Sequence, residues 1–266
     1  VKDFLICKPT RWFFERALGM LAMFLFLGGW FYRDANTGYR QQNLIFAYHA
    51  TFVEAGKTYK EQKHQGISAA QWKGFAENQS VSFGDDSSLV PTEAQAPTPW
   101  PAELCEASLL EEGHLKAWEA FTGRMKWNRK PPEKWHDAGS IREQWIVGHI
   151  LMALAAITLF LLLRTLRRTM VLDGDTIITQ DGRKVPIADL TQLDLRKWYT
   201  KGLAFAEYQQ KSGKKGRIRI DGMTYGGFQK EKGEPAEQWM TLVRKQFHGE
   251  LIEYASEETE EQPTQP

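Results

Sequence analysis

From Trp145 to Leu163 the chain runs through nineteen residues without Asp, Glu, Lys, Arg or Pro. A helix rises about 1.5 Å per residue, so this run can cross a hydrocarbon core roughly 30 Å thick. Ser140 and Glu143 read as a capping box that starts the helix ahead of the apolar run. Arg164, Arg167 and Arg168 close it with the charges expected on a cytoplasmic side. Residues 141–168 are therefore expected to form a transmembrane helix with a cytoplasmic extension.

A second apolar stretch runs from Ala17 to Tyr32, and Trp12, Phe13 and Phe14 extend it backwards. Trp12 at one end, and Trp30 with Tyr32 at the other, suit an aromatic belt, so residues 12–32 are expected to span with Glu15 and Arg16 near the headgroups. A cleaved signal peptide is the rival. Against it, no small-x-small site follows the apolar core, where Gly28-Gly29 runs straight into Trp-Phe-Tyr-Arg. Lys2, Lys8, Arg11 and Arg16 before the first span, and the arginines after the second, put both termini in the cytoplasm, in the inner membrane if the cell is bacterial. Arg33 and Arg142 argue the other way. Residues 1–11 are then a cytoplasmic segment, and 33–140 an extracytoplasmic, mostly helical section.

The net charge of +1 hides a sectional bias. Residues 164–255 carry seventeen Lys and Arg against twelve Asp and Glu, directly after a membrane helix, where anionic lipid would attract them. The tail 256–266 holds four Glu and two Pro and is expected to be disordered. Cys7 and Cys105 fall on opposite sides of an expected span, so they do not form an intramolecular disulfide. Neither has zinc or thiol-redox spacing. Cys7 lies just before a span, where acylation competes with an inert thiol.

In the outer section, Leu44, Ile45, Tyr48 and Phe52 fall at helical spacing between Tyr39 and Ala55. Ser68 is placed to cap a short helix carrying Trp72 and Phe75. From 80 to 101 Ser, Asp and Gly give way to Pro91, Pro97, Pro99 and Pro101, which reads as an extended linker. Pro101 suits the first residue of a helix running to Met125, with Leu104, Ala107, Leu115, Trp118, Phe121 and Met125 near one stripe. Trp72, Trp118, Trp127 and Trp135, with Trp100, form either a partner surface or ligand groove, or a small core with interface anchors. Asn78-Gln-Ser80 is an N-glycosylation triplet in a eukaryotic cell.

The C-terminal section changes to a period of two. Thr176–Gln180 and 183–187 flank Asp181-Gly182, a hairpin signal in which both turn positions take positive φ. Leu193 and Leu195 alternate before Trp198. Leu203–Gln209 turns at Ser212-Gly213 into 216–220. Arg217 and Arg219 alternate with Ile218 and Ile220, so both face one side. With Lys211, Lys214 and Lys215 they form a basic patch suited to lipid headgroups. Pro235 opens a last helix with Trp239, Leu242, Val243 and Phe247 on one face.

These residues carry a resemblance. Asp181-Gly-Arg-Lys-Val-Pro-Ile187, Asp194-Leu-Arg-Lys-Trp198, Lys201-Gly-Leu-Ala204 and the helix after Pro235 resemble the bacterial pleckstrin-homology-like (PH-like) domains, over about residues 170–254. The stretch is short for the full family barrel, and a strand is missing from the pattern. The resemblance implies a small antiparallel β-rich cytoplasmic domain over 169–255, closed by a C-terminal helix. It implies binding or scaffolding, and it brings no catalytic residue.

No phosphate-binding loop, dinucleotide fingerprint, His-Glu-x-x-His or nucleophile elbow is present. Glu61-Gln-Lys-His64 and Glu111-Glu-Gly-His114 both fit Glu-x-x-His, but a di-iron bundle needs two more inward Glu on long helices, and Gly66 and the Pro-rich stretch leave little room for them. No cofactor, metal or catalytic residue is assigned. His149, inside the second span, is a candidate contact to a partner helix or a neutral imidazole reaching the interface. No nucleic-acid motif appears. The expected function is a non-enzymatic membrane scaffold or accessory subunit with a protein partner. The alternatives are a lipid-responsive module using Lys211, Lys214, Lys215, Arg217 and Arg219, and an enzyme using His64 or His114.

Overall fold

The computed structural model describes residues 4–94, 97–227 and 233–254. The acidic tail 256–266, expected to be disordered, lies outside the described residues. The chain mixes helix and sheet and divides into two units, residues 24–153 and residues 1–23 with 154–266.

The first elements are strand β1 (Phe4–Cys7) and helix α1 (Arg11–Arg33), followed by a π-helical turn at Asp34–Gly38 and helix α2 (Tyr39–His64). Helices α3 (Ala69–Ala76), α4 (Ala102–Cys105), α5 (Ala107–Glu111) and α6 (His114–Met125) follow, then the long α7 (Ala138–Leu166). The start of the helical run Arg11–His64, and α7, are each long and apolar enough to cross a membrane. Their apolar windows are only 11% and 22% buried, which separates them from the core helix of a soluble protein. Leu18, Phe26 and Trp30 on α1, and Ile150, Ile157 and Phe160 on α7, stand exposed.

α7 begins before its expected cap. The carboxylate of Asp137 accepts the Ser140 N–H at 2.7 Å. Ser140 thus sits inside the first turn, and Asp137, not the Ser140–Glu143 pair, caps the helix. The bonds from the Ser140 amide and hydroxyl hold the Asp137 carboxyl below its usual range.

In the unit of residues 24–153 the core gathers Phe52, Tyr59, Trp72, Leu104, Leu110, Trp118 and Phe121. α2 buries Asn43, Ala47, Thr51, Phe52, Ala55, Gly56 and Tyr59, the three-and-four spacing of one helix face. Gly56 lets α6 approach closely: a Cβ there would meet the Cβ of His114 at 2.7 Å. Ser68 and Gln71 form the capping box of α3, as the sequence suggests.

The single helix expected from Pro101 to Met125 is three. Glu106 is extended between α4 and α5, and Gly113, at φ 108°, separates α5 from α6. Each break resets the helical phase, so Leu115 is 61% exposed while Leu104 is fully buried. The extended linker expected at 80–101 is likewise folded among its described residues. The Val81 N–H donates to Thr98 O at 2.8 Å and the Trp100 N–H to Gln79 O at 3.1 Å, which closes the stretch into a loop. Its Val81, Leu89, Val90 and Ala94 are buried, so apolar contact outweighs the Ser/Pro composition.

The β-rich unit continues with β2 (Met170–Asp173), β3 (Thr176–Ile178), β4 (Lys184–Pro186), β5 (Leu190–Asp194), helix α8 (Trp198–Lys201), β6 (Leu203–Gln209), β7 (Lys215–Asp221), helix α9 (Pro235–Gln246) and β8 (Glu250–Ile252). Two four-stranded sheets form, in the orders β1-β2-β3-β4 and β7-β6-β5-β8. One cluster holds both together: Leu172, Ile177, Leu193, Trp198, Ile218, Ile220 and Trp239 are at most 1% exposed. Pro235 stands at the first helical position of α9.

Three features differ from the sequence reading. The segment 1–11, expected to lie outside the β-rich domain, supplies β1, which pairs antiparallel with β2: Leu5 faces Leu172 and Cys7 faces Met170. Cys7 is consequently fully buried, and burial pushes its thiol up to about 12, which removes it as an acylation site. At the Asp181-Gly182 turn only Gly182 takes positive φ, 80°. Its N–H donates to Thr179 O at 2.8 Å, and the Thr179 N–H donates to Arg183 O at 2.9 Å, giving a three-residue loop rather than a two-residue one. Finally, β8 pairs parallel to β5 beyond α9.

Candidate functional site

The basic patch of the sequence lies on the β6–β7 hairpin. Ile218 and Ile220 are buried and Arg217 and Arg219 exposed, as the alternation requires. Lys211, Lys214 and Lys215 are exposed in and beside the turn. The pairing register then places acids beside the arginines. Arg217 stands opposite Glu207, and its guanidinium lies 4.3 Å over the Phe205 ring. Arg219 pairs with Asp221 at 2.7 Å. Asp194, held below the usual carboxylate range chiefly by the Arg196 side chain at 2.9 Å, feels Arg217 as well. Arg183, not singled out in the sequence, joins this edge by donating to Arg217 O at 3.0 Å, and its charge meets Asp181 at 2.6 Å. Arg219 is thus paired with a carboxylate, Arg217 stands opposite one, and Lys211, Lys214 and Lys215 make no ion pair among the described residues.

Two of the four tryptophans are buried in the helical unit and two are half-buried. Trp72 is fully buried and donates its indole N–H to Leu104 O at 2.9 Å. Trp118 is 2% exposed and donates to Arg129 O at 2.7 Å. Trp127 is half-buried, edge-on to Phe121 and Tyr48. Trp135 is half-buried against Phe46. Trp72 and Trp118 belong to the core, because a bulky aromatic whose N–H finds a carbonyl is stable inside.

His149 Nδ1 donates to Trp145 O, 2.7 Å away on its own helix, and the ring meets that of Tyr32 edge-on at 5.3 Å. Beside it Gly148 lets Tyr32 close in, since a Cβ there would lie 2.9 Å from the ring. Gly148 and Ala155, seven residues apart, are buried on one face, whereas Ala153 and Ala156 are exposed.

The two Glu-x-x-His words do not meet in a ligand cluster. Glu111 binds Lys63 at 2.9 Å and accepts the Tyr59 hydroxyl at 3.2 Å. These bonds lower its carboxyl from the usual range, the Lys63 side chain foremost. His64 is exposed, and His114 packs on Gly56. Among the described residues no group of three or more His, Cys, Asp or Glu is placed to hold a metal ion.

A buried polar group organises the helical unit. Asn43, fully buried, donates to Leu89 O at 2.9 Å and to His136 O at 2.8 Å, and accepts the His136 N–H at 2.7 Å. The His136 ring stacks on Tyr39 at 3.8 Å, and burial is the main cause of its lowered pKa.

In the β-rich unit a cavity of about 650 Å³ is lined by Lys8, Thr10, Trp12, Met223, Glu234 and Pro235 among others. A smaller one, about 230 Å³, lies among Arg164, Arg168 and Arg219. Comparisons with family models, with curated proteins and with solved structures gave no match to this chain.

Proposed function

We propose that the chain is a two-pass membrane protein of the bacterial inner membrane, with both termini cytoplasmic, acting as a non-enzymatic scaffold or accessory subunit. In this reading residues 33–140 engage a partner protein outside the cytoplasm. The β-rich unit is a cytoplasmic PH-like binding domain closed by α9.

The observation that carries the reading is the pairing of β1 with β2. β1 precedes the first apolar helix and β2 follows the second, yet Phe4–Cys7 and Met170–Asp173 share one antiparallel ladder. A chain crossing lipid once could not make this ladder. A chain crossing twice returns to the side it left. The pairing also argues against a cleaved leader, because cleavage after α1 would strip the sheet of β1. The exposed apolar side chains of α1 and α7 support a lipid environment, since water-facing patches of that extent are rare on soluble monomers. Two four-stranded sheets around one core, with α9 against it, support the PH-like reading, and β1 supplies a strand absent from 170–254.

Cross-linking tests the topology. Opposed residues of an antiparallel ladder lie about 4.5–5.5 Å apart at Cα, within disulfide reach. In a Cys7→Ala, Cys105→Ser background, Phe4→Cys with Asp173→Cys, an exposed opposed pair, is expected to join when membranes are oxidised. Proteolysis within 33–140 should then leave both fragments in one non-reducing gel band. Phe4→Cys with Met170→Cys, three residues out of register, should not join. Separate fragments from the Phe4→Cys, Asp173→Cys chain would sink the topology.

The scaffold function itself is tested by extracting the full-length chain in mild detergent and measuring its native mass. A partner protein retained at a fixed stoichiometry is the expected result. A lone chain or homo-oligomer would refute the accessory-subunit reading. The second reading, a lipid-responsive module, is favoured by the arginines at the end of α7.

A further inference from the structure

The end of α7 holds more positive charge than its neighbours neutralise. Arg164 lies in the last turn of α7, and Arg168 lies two residues beyond its end, where its N–H donates to Thr165 O at 3.0 Å. Both line the cavity of about 230 Å³, together with Arg219, Gln180, Asp221 and Tyr225. Asp221 is already paired with Arg219 at 2.7 Å and is the one carboxylate of the lining among the described residues. Arg164 and Arg168 make no ion pair among the described residues, so the site has a surplus of two positive charges. Tyr225 is buried, and its N–H donates to Asp221 O at 3.0 Å. Gln180 donates its amide to Arg219 O at 3.1 Å and keeps a buried Oε1 without a donor among the described residues.

We propose that this cavity binds the phosphate of an anionic phospholipid headgroup. Guanidinium forks match phosphate oxygens in pairs, which lysine cannot do. Phe13 and Leu161 form the apolar part of the lining, and Leu161 belongs to the apolar run that ends one residue before Arg164. The cavity therefore spans the change from hydrocarbon to headgroup chemistry. Its volume is below the roughly 300–1,000 Å³ of sites that enclose a whole drug-sized ligand. It takes a phosphodiester and leaves the acyl chains outside. The free Gln180 acceptor suits a headgroup hydroxyl, as in phosphatidylglycerol. This site is separate from the lysines of the β6–β7 hairpin.

The inference rests on the two-pass reading, and the experiment keeps the two apart. Wild-type chain that alkaline carbonate releases from membranes refutes the two-pass reading. A carbonate-resistant chain that retains no phosphatidylglycerol refutes the pocket alone. Full-length protein in detergent is offered equal phosphatidylglycerol and phosphatidylcholine, and bound lipid is read by native mass spectrometry. Wild type is expected to retain phosphatidylglycerol preferentially. At roughly tenfold per charge-assisted bond lost, Arg164→Gln with Arg168→Gln should weaken retention about 100-fold. Lys211→Gln with Lys214→Gln should change it less than about twofold, as screened surface charges do. Unchanged retention in the arginine double variant overturns the site. Inorganic phosphate is the second probe. If it binds with the same arginine dependence while no lipid is retained, the pocket belongs to a soluble phosphate and the lipid assignment falls. Should the glutamine variant fail to fold, Arg168→Lys keeps the charge and loses the fork. About tenfold weaker retention then supports the site, and unchanged retention refutes it.

Discussion

Trp198→Ala is expected to destabilise the β-rich unit by about 3–5 kcal/mol, the usual cost of emptying a buried tryptophan site. Trp198 is 1% exposed at the start of the short α8, and its indole N–H donates to Glu237 of α9 at 3.2 Å. Its ring presses on the backbone after β7, where a Cβ on Gly222 would meet Cη2 at 2.5 Å. One side chain thus touches β7's turn, α8 and α9 together, and close packing lets little of the resulting void collapse. A small domain holds only about 5–15 kcal/mol in all, so the loss is a large fraction of its stability. At ~4–8 °C per kcal/mol the midpoint of thermal unfolding should fall by more than about 10 °C. Trp198→Phe, which keeps a ring, should recover much of that. A fall under about 3 °C for the alanine variant would mean that the ring is not the keystone its contacts suggest.

Asn43→Ala should cost the helical unit about 2–4 kcal/mol. The alanine removes three hydrogen bonds at once and leaves the carbonyls of Leu89 and His136 and the N–H of His136 without partners in a buried place. Each unsatisfied buried group costs about 1–3 kcal/mol, and the sum is reduced because the loops can relax towards water. The damage should be local first. Asn43 fastens the 80–94 stretch and the segment before α7 to α2, so both should loosen while Trp72 and Trp118 stay packed. Amide exchange is the measurement: the His136 N–H should exchange far faster in the variant, with the core amides of α6 little changed. Equal protection at His136 in both proteins would show that Asn43 is dispensable. Asn43→Asp is expected to be no milder, because it keeps the acceptor, loses both donor bonds and buries a charge.

Much of the architecture was readable because it is local. The apolar runs, the Ser68 cap, the hairpins and the proline start of α9 are signals a few residues long, each with its own steric or hydrogen-bonding cause. Where several local rules compete, the sequence does not rank them. Asp137 and Ser140 are both good cap residues, and only the bond to the Ser140 amide decides between them. The helix expected from Pro101 to Met125 looked continuous in its apolar spacing, but Gly113 adopts a φ of 108° that ends it. The basic patch was legible as charge. Its partial neutralisation was not, since Glu207 comes opposite Arg217 only through strand register.

By itself the sequence determined two helices long and apolar enough for a bilayer, a helical section between them and a β-rich section after them. Periodicity and hydropathy are properties of neighbouring residues, and they need no knowledge of the fold. The tertiary structure alone decided that Phe4–Cys7 belongs to the sheet of Met170–Asp173, that β8 runs parallel to β5, that Asn43 holds two distant loops, and that Trp72 and Trp118 are core. It alone brought Arg164 and Arg168 beside Arg219. Each of these joins residues far apart in the chain. A four-residue strand or a single asparagine carries too little local signal to name a distant partner, and the partner is chosen by which burial leaves the fewest apolar surfaces wet and the fewest polar groups unpaired.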